Sequence, residues 1–164
     1  FRDYVGALQH YKYAAKEGDL ESFFALGEIH RKGTGVSSSI TNAIPYYHYA
    51  ASKGYAPAQY MLGVIYANGE GVSRDIAKGY AWLSLAAEQH FVNAQTAIEQ
   101  LSGSMSLHDF DQARQQIFLI QENELGKIEM PPIQVSNIQS GLKTLGSDSS
   151  KPKKRRRGVR SRRN

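Results

Sequence analysis

The sequence contains no cysteine, which excludes disulfides and thiolate metal sites and leaves the redox compartment unmarked. No apolar run approaches the ~18 residues that a membrane-spanning helix needs. The last 14 positions contain no acid, yet they hold nine of the chain's 20 basic residues. The remainder therefore has 11 basic against 15 acidic residues, a body of −4 joined to a tail of +9. The pI of 9.4 describes the tail rather than the body. A mildly acidic body with a basic end fits a scaffold with an electrostatic appendage better than a fold that binds nucleic acid over its surface. The chain opens on Phe1, so the absence of a leader peptide is uninformative.

What fills the chain is a repeat. Residues 43–78, AIPYYHYAASKGYAPAQYMLGVIYANGEGVSRDIAK, lie over residues 7–42 with 14 identities in 36 and no gap. A period of that size marks a solenoid of supersecondary units, each burying its apolar face against the next. The opening residues fall in the same register, with Arg2-Asp3 repeating Arg74-Asp75, so part of an upstream repeat is expected to precede Phe1.

Each unit reads as two helices. The first is expected to begin at a short polar N-cap, Asp3, Ser39 or Asp75, and to run to the pairs Ala14-Ala15, Ala50-Ala51 and Ala86-Ala87. Gly18 and Gly54 supply the left-handed residue that ends it, and His90 takes that place in the third copy. Pro45 fits a regular helix beginning near Ile44, where its missing donor costs nothing. The second helices are expected over 20–31, 56–67 and 92–101, with Ala58, Met61, Leu62, Ile65 and Tyr66 as a buried stripe. Gly27 and Gly63 lie inside these helices, where glycine is ~1 kcal/mol worse than alanine, so their recurrence implies close helix contact. The turns Gly33-Thr34-Gly35-Val36 and Gly69-Glu70-Gly71-Val72 then end the unit.

The A-x-x-Y-Y/W-x-x-A-A-x-x-G segments, the Ala58–Tyr66 segment A-Q-x-x-L-G-x-x-Y and the G-x-G-V turns resemble the Sel-one-like repeat (SLR) family, relatives of the tetratricopeptide repeats. The resemblance spans residues 1–125. It implies an all-α, right-handed αα-superhelix used for protein interaction, in bacterial signalling and envelope assembly and in eukaryotic membrane-protein quality control. A cysteine-rich branch is associated with β-lactams, but this chain lacks those cysteines.

The expected organisation is a solenoid over 1–126, with repeats at about 3–38, 39–74 and 75–105 and a capping helix at 106–125. In the third copy Glu99 replaces the glycine of Gly63 and Met105-Ser106-Leu107-His108 replaces the turn, so no further repeat is expected to pack there. Ser106 with Asp109 forms a capping-box signal, Leu107, Phe110, Ala113, Ile117 and Ile120 keep a helical period, and Gly126 ends the cap. Residues 127–150 read as a linker broken by Pro131-Pro132, with Val135, Ile138, Leu142 and Leu145 as a short amphipathic stretch. Residues 151–164 read as a disordered basic tail carrying Lys151, Lys153, Lys154, Arg155, Arg156, Arg157, Arg160, Arg162 and Arg163.

Little of this looks like chemistry. His10, His30, His48, His90 and His108 include no i, i+3 or i, i+4 pair, so packing and surface roles are expected and no metal site. The G-x-G turns lack the preceding strand and the third glycine or Lys-Ser/Thr ending of a phosphate cradle. Tyr11, Tyr13, Tyr46, Tyr47, Tyr49 and Trp82 could form a stacking platform, but their spacing within first helices reads as inter-repeat core with one or two hydroxyls left at a groove. Glu17, Glu21, Glu28, Glu70 and Asp75 show no pairing suited to acid–base catalysis.

The expectation is a noncatalytic scaffold without cofactor or small-molecule substrate. Its partner protein would bind a concave face of first helices through a variable outward stripe, Gln9, Lys12 and Lys16, then His48 and Ser52, then Ser84 and Glu88. The alternative is a binder of anionic polymer, nucleic acid or an acidic membrane surface, acting through the basic tail.

Overall fold

The computed structural model describes residues 4–133. The Asp3 cap, the amphipathic stretch at 135–145 and the basic tail lie outside them. Among the described residues the chain forms seven α-helices and a π-helical turn, without strands: α1 (Tyr4–Lys16), α2 (Leu20–Lys32), α3 (Ile40–Ser52), α4 (Ala56–Asn68), α5 (Ile76–Glu88), α6 (Val92–Ser102) and α7 (Leu107–Leu119), then Ile120–Glu124. The helices α1/α2, α3/α4 and α5/α6 form three hairpins stacked in chain order, giving the αα-superhelix of an SLR fold.

The repeat is visible in the backbone. Each first helix ends in the same double hydrogen bond: Asp19, Tyr55 and Phe91 N–H donate to Ala14, Ala50 and Ala86 carbonyls at 3.1, 3.0 and 3.2 Å. Gly18, Gly54 and His90 donate to Ala15, Ala51 and Ala87 at 2.9, 3.0 and 2.8 Å. The residue between must be left-handed, and the three have φ of 89°, 87° and 61°. His90 therefore keeps the glycine's conformation while carrying a side chain.

Helices from successive units meet where the second helix lacks a side chain. A methyl on Gly27 would lie 2.5 Å from Tyr47 Cε1, and one on Gly63 would lie 2.5 Å from Leu83 Cγ and 3.0 Å from the Gly79 carbonyl. Around these approaches the core fills with Phe23, Leu26, Tyr47, Leu62, Ile65, Trp82 and Leu83. Of the stripe expected in α4, Ala58, Leu62 and Ile65 are buried, whereas Met61 and Tyr66 are half-buried.

Two details differ from the sequence reading. Helix α3 begins at Ile40, directly after a Ser39 cap whose hydroxyl accepts from Asn42 N at 3.2 Å, so Pro45 sits inside the helix. Thr41 and Pro45 are both exposed, and water can satisfy the Thr41 carbonyl that the proline leaves unpaired. Leu107 is 86% exposed, because as the first residue of α7 it projects past the helix that receives Phe110, Ala113, Ile117 and Ile120.

The position of α7 differs from every earlier helix that follows a turn. Helix α3 packs on α2 and α5 on α4, but α7 packs on α5 and leaves the flank of α6 open. That flank carries Gln95, Thr96 and Glu99, all exposed. The Tyr80 ring meets Phe110 edge-on at 5.5 Å, Ala113 and Ile120 are fully buried, and the predicted capping box of Ser106 and Asp109 starts the helix.

The glycine contacts yield a test. Gly63→Ala should destabilise the protein by about 1–3 kcal/mol through overpacking against Leu83 and the Gly79 backbone. Gly103→Ala, with φ −63° and nothing nearer than 3.7 Å, should be neutral or slightly stabilising in denaturant melts followed by helical dichroism.

Candidate functional site

The first helices share one register, so equivalent positions can be compared directly. Shifting by 36 aligns the i, i+4, i+8 stripe Val5–Gln9–Tyr13 of α1 with Thr41–Pro45–Tyr49 of α3 and Ala77–Ala81–Leu85 of α5. In α1 all three are exposed, Tyr13 to 71%; in α3 Thr41 and Pro45 are exposed and Tyr49 is half-buried. In α5 all three are buried. Helix α3 has a unit on each side and still leaves its stripe open, so stacking does not bury it. What distinguishes α5 is α7, which lies along it.

The seven residues of the expected partner stripe divide by environment. Gln9, Lys16 and Glu88 are exposed, and His48 and Ser84 are half-buried. Lys12 is only 9% exposed and Ser52 only 2%, so an outward direction does not hold for these two. Burial pushes the Lys12 ammonium below its ordinary pKa. Burial, with Lys12 adding a smaller push, also holds the His30 imidazole low, and that ring stacks on Tyr46 at 5.3 Å. His48 meets the edge of Trp82 at 5.5 Å. The Trp82 indole N–H, fully buried, has no acceptor among the described residues.

Ser52 is buried because the end of the described chain returns to it. Gly126, left-handed at φ 79°, donates its N–H to the Ser52 carbonyl at 2.7 Å, and Lys53 Nζ donates to the Gly126 carbonyl at 2.8 Å. The Ser52 hydroxyl donates to Tyr49 O at 2.8 Å and the Ser84 hydroxyl to Tyr80 O at 2.9 Å, so both already have acceptors. The segment after α7 thus clasps the C-terminal end of α3. Helical spacing marks an apolar stripe on α7 but does not reveal which helix receives it, so this contact was not legible in the sequence. The small residues Ala77 and Ala81, set against Thr41 and Pro45, were the available signal.

Beside this face one polar network ties α2 to α3. Arg31 grips Glu28 with both ends of its fork at 2.9 Å, Lys32 pairs with it at 2.7 Å, and the buried Tyr47 hydroxyl donates to it at 2.7 Å. Burial alone would raise the Glu28 pKa, but hydrogen bonds from Arg31, Lys32 and Tyr47 overcome it and hold the carboxyl at about 2. The Tyr47 phenol is pushed well up, first by burial and then by Glu28. Among the described residues no group of three or more His, Cys, Asp or Glu is placed to hold a metal ion. No described helix is long and apolar enough to cross a membrane.

The Sel1 repeat family model matches residues 1–19, 23–55 and 56–91. The chain belongs to the Sel1-repeat family. The matched units place a second helix before the first helix that follows it, α2 with α3 and α4 with α5, which are the pairs joined at Gly27 and Gly63. The match ends before α6 and α7. Two solved structures are similar. One is a protective antigen of uropathogenic Escherichia coli displaying an SLR fold, 21% identical, TM-score 0.66, with 96% of this chain and 30% of that one covered. The other is a Sel1 repeat protein from Oxalobacter formigenes, 31% identical, TM-score 0.62, with 74% of this chain and 51% of that one covered. This Sel1-repeat chain therefore spans about half or less of the length of either. No curated protein matches the sequence.

A folded pKa of about 2 for Glu28, against an ordinary 4.5, means that its contribution to stability is complete above about pH 4.5 and is lost as pH falls toward 2. Glu28→Gln should cost on the order of 1–3 kcal/mol at neutral pH, because the Tyr47 hydroxyl and Arg31 lose a charged acceptor. Urea melts from pH 7 to 2.5 should show the variant and parent converging at the acid end.

Proposed function

We propose that this Sel1-repeat chain is a noncatalytic scaffold that holds a partner protein on the open first-helix face of its first two repeats. Sel1 repeats are protein-interaction modules, and the family is a scaffold kind rather than an enzymatic one. The observation that carries the reading is the contrast between repeats: the stripe of α5 is closed by α7, while those of α1 and α3 stay open and present Val5, Gln9, Tyr13, Thr41 and Pro45. Exposed tyrosine offers a large contact area with few rotatable bonds, the property that makes it a frequent interface hot spot. Lys16, exposed at the C-terminal end of α1, gives the face a positive charge suited to a partner segment that combines apolar side chains with acid. The binding mode would be a peptide or helix laid across the first helices, not a pocket for a small molecule.

Affinity capture from the source cells with the whole chain tests this. Tyr13→Ala combined with Lys16→Glu should weaken capture by at least about tenfold, since each such contact is worth ~1–2 kcal/mol. Phe118→Ala, on the outer side of α7, should leave capture unchanged. Equal retention by the double variant, with its helical dichroism intact, would move the site away from this face.

A further inference from the structure

We infer that α7 and the segment clasped to α3 are a displaceable internal ligand, and that the surface under α7 is a groove for an amphipathic helix of a partner protein. The inference rests on the scaffold reading and adds its regulation: the third repeat would join the open face only when α7 leaves.

The groove is built for a helix. On α5, which α7 packs against, the buried stripe Ala77–Ala81–Leu85 has two small side chains and one branched one, where the open repeats carry Val5, Gln9 and Tyr13 or Thr41, Pro45 and Tyr49. Small residues let a second backbone approach closely. The occupant presents Phe110, Ala113, Ile117 and Ile120, spaced 3, 4 and 3, which is the stripe a single helical face can bury. A competing helix needs that spacing, with a small residue at the second position.

The occupant is also held from one side. Helices α3, α4 and α5 each pack on a helix before and a helix after, whereas the main packing of α7 is on one helix, α5, and its outer side exposes Leu107, Phe118 and Leu119. A helix with one packing partner opens locally at a lower free energy than helices with two. Its C-terminal end widens into a π-helical turn, where Leu125 N–H reaches back to Ile120 O at 2.9 Å. Beyond it the hold is the pair of hydrogen bonds through Gly126. The short turn from α6 keeps α7 at the effective concentration of a tethered segment, on the order of millimolar, clasped or not, and the clasp adds to that hold, so a free helix at micromolar concentration is excluded. Opening the clasp lowers that barrier without altering the groove.

The absence of cysteine makes the test direct, because one introduced thiol is the sole thiol in the whole chain. Ala81→Cys places it under α7, and Pro45→Cys places it at the equivalent exposed position of α3. In the clasped protein the thiol at 81 should react with an aromatic disulfide reagent at least about 50-fold more slowly than the thiol at 45. Adding Lys53→Ala and Gly126→Pro removes both clasp donors and forbids the left-handed turn, and it should speed reaction at 81 at least fivefold while leaving 45 unchanged. A synthetic peptide of residues 106–125, supplied above the tether's effective concentration of about a millimolar, should then slow it again, and a scrambled peptide should not. Leu85→Cys repeats the measurement if the thiol at 81 disturbs packing. Equal rates at 81 and 45 in the clasped chain, no change on unclasping, or no protection by the peptide would each overturn the proposal. None of these readings involves the partner captured by repeats one and two, so this test can fail while the scaffold reading stands, and the reverse.

Discussion

The fold depends on one constraint, the absence of a side chain at Gly27 and Gly63. At each, the second helix of a unit must admit the first helix of the next closely enough for Tyr47 or Leu83 to rest on bare backbone. That approach sets the spacing between units, and the spacing determines which positions of α1, α3 and α5 can face outward together. A larger residue at either glycine would tilt one hairpin against the next, and the outward stripe would lose its alignment across repeats. The binding surface is therefore a consequence of contacts on the opposite side of the same helices.

The Glu28 network reinforces the first of these junctions by a different means. Tyr47 packs its ring against Gly27 and sends its hydroxyl to Glu28 on the same helix, so one side chain satisfies both the steric and the polar demand of the approach. The second junction replaces it with Leu83 and a facing Gly79, where a methyl would lie 2.8 Å from Ala67 N. One junction is thus partly polar and sensitive to acid, and the other is a purely steric contact of backbones.

The sequence made the helices and their ends legible because their signals recur in register. Ser39 and Asp75 cap as read, Gly18 and Gly54 turn left-handed, and His90 adopts the strained conformation that its position demanded. Pro45 was harder, since its penalty falls when the carbonyl it leaves unpaired faces water. The face itself was only partly legible. Ser52 aligns with exposed Lys16 and Glu88 and Lys12 with half-buried His48 and Ser84, and periodicity treats equivalent positions alike. What buries Ser52 is Gly126, whose partner Lys53 lies 73 residues before it in the chain, a contact that no local pattern encodes. The tilt of α7 from α6 onto α5 was hidden in the same way, although Glu99 did signal that α6 would accept no neighbour.

That open flank of α6 has a consequence for assembly. Stacked hairpins present, at each end of the stack, a surface shaped like the ones already buried between units. If such an end were apolar, a second molecule could add there head-to-tail, and a contact of that kind that does not close on itself grows into a fibre. Here α6 carries Gln95, Thr96 and Glu99 where Gly63 and its neighbours would receive the next helix, with Gln95 bonded to Glu99 along the same helix. The helix that could have covered this flank is on α5 instead. Among the described residues, the polar side chains of this flank disfavour such growth, because a partner helix would bury them without acceptors or donors of its own, and α7 lies on another surface.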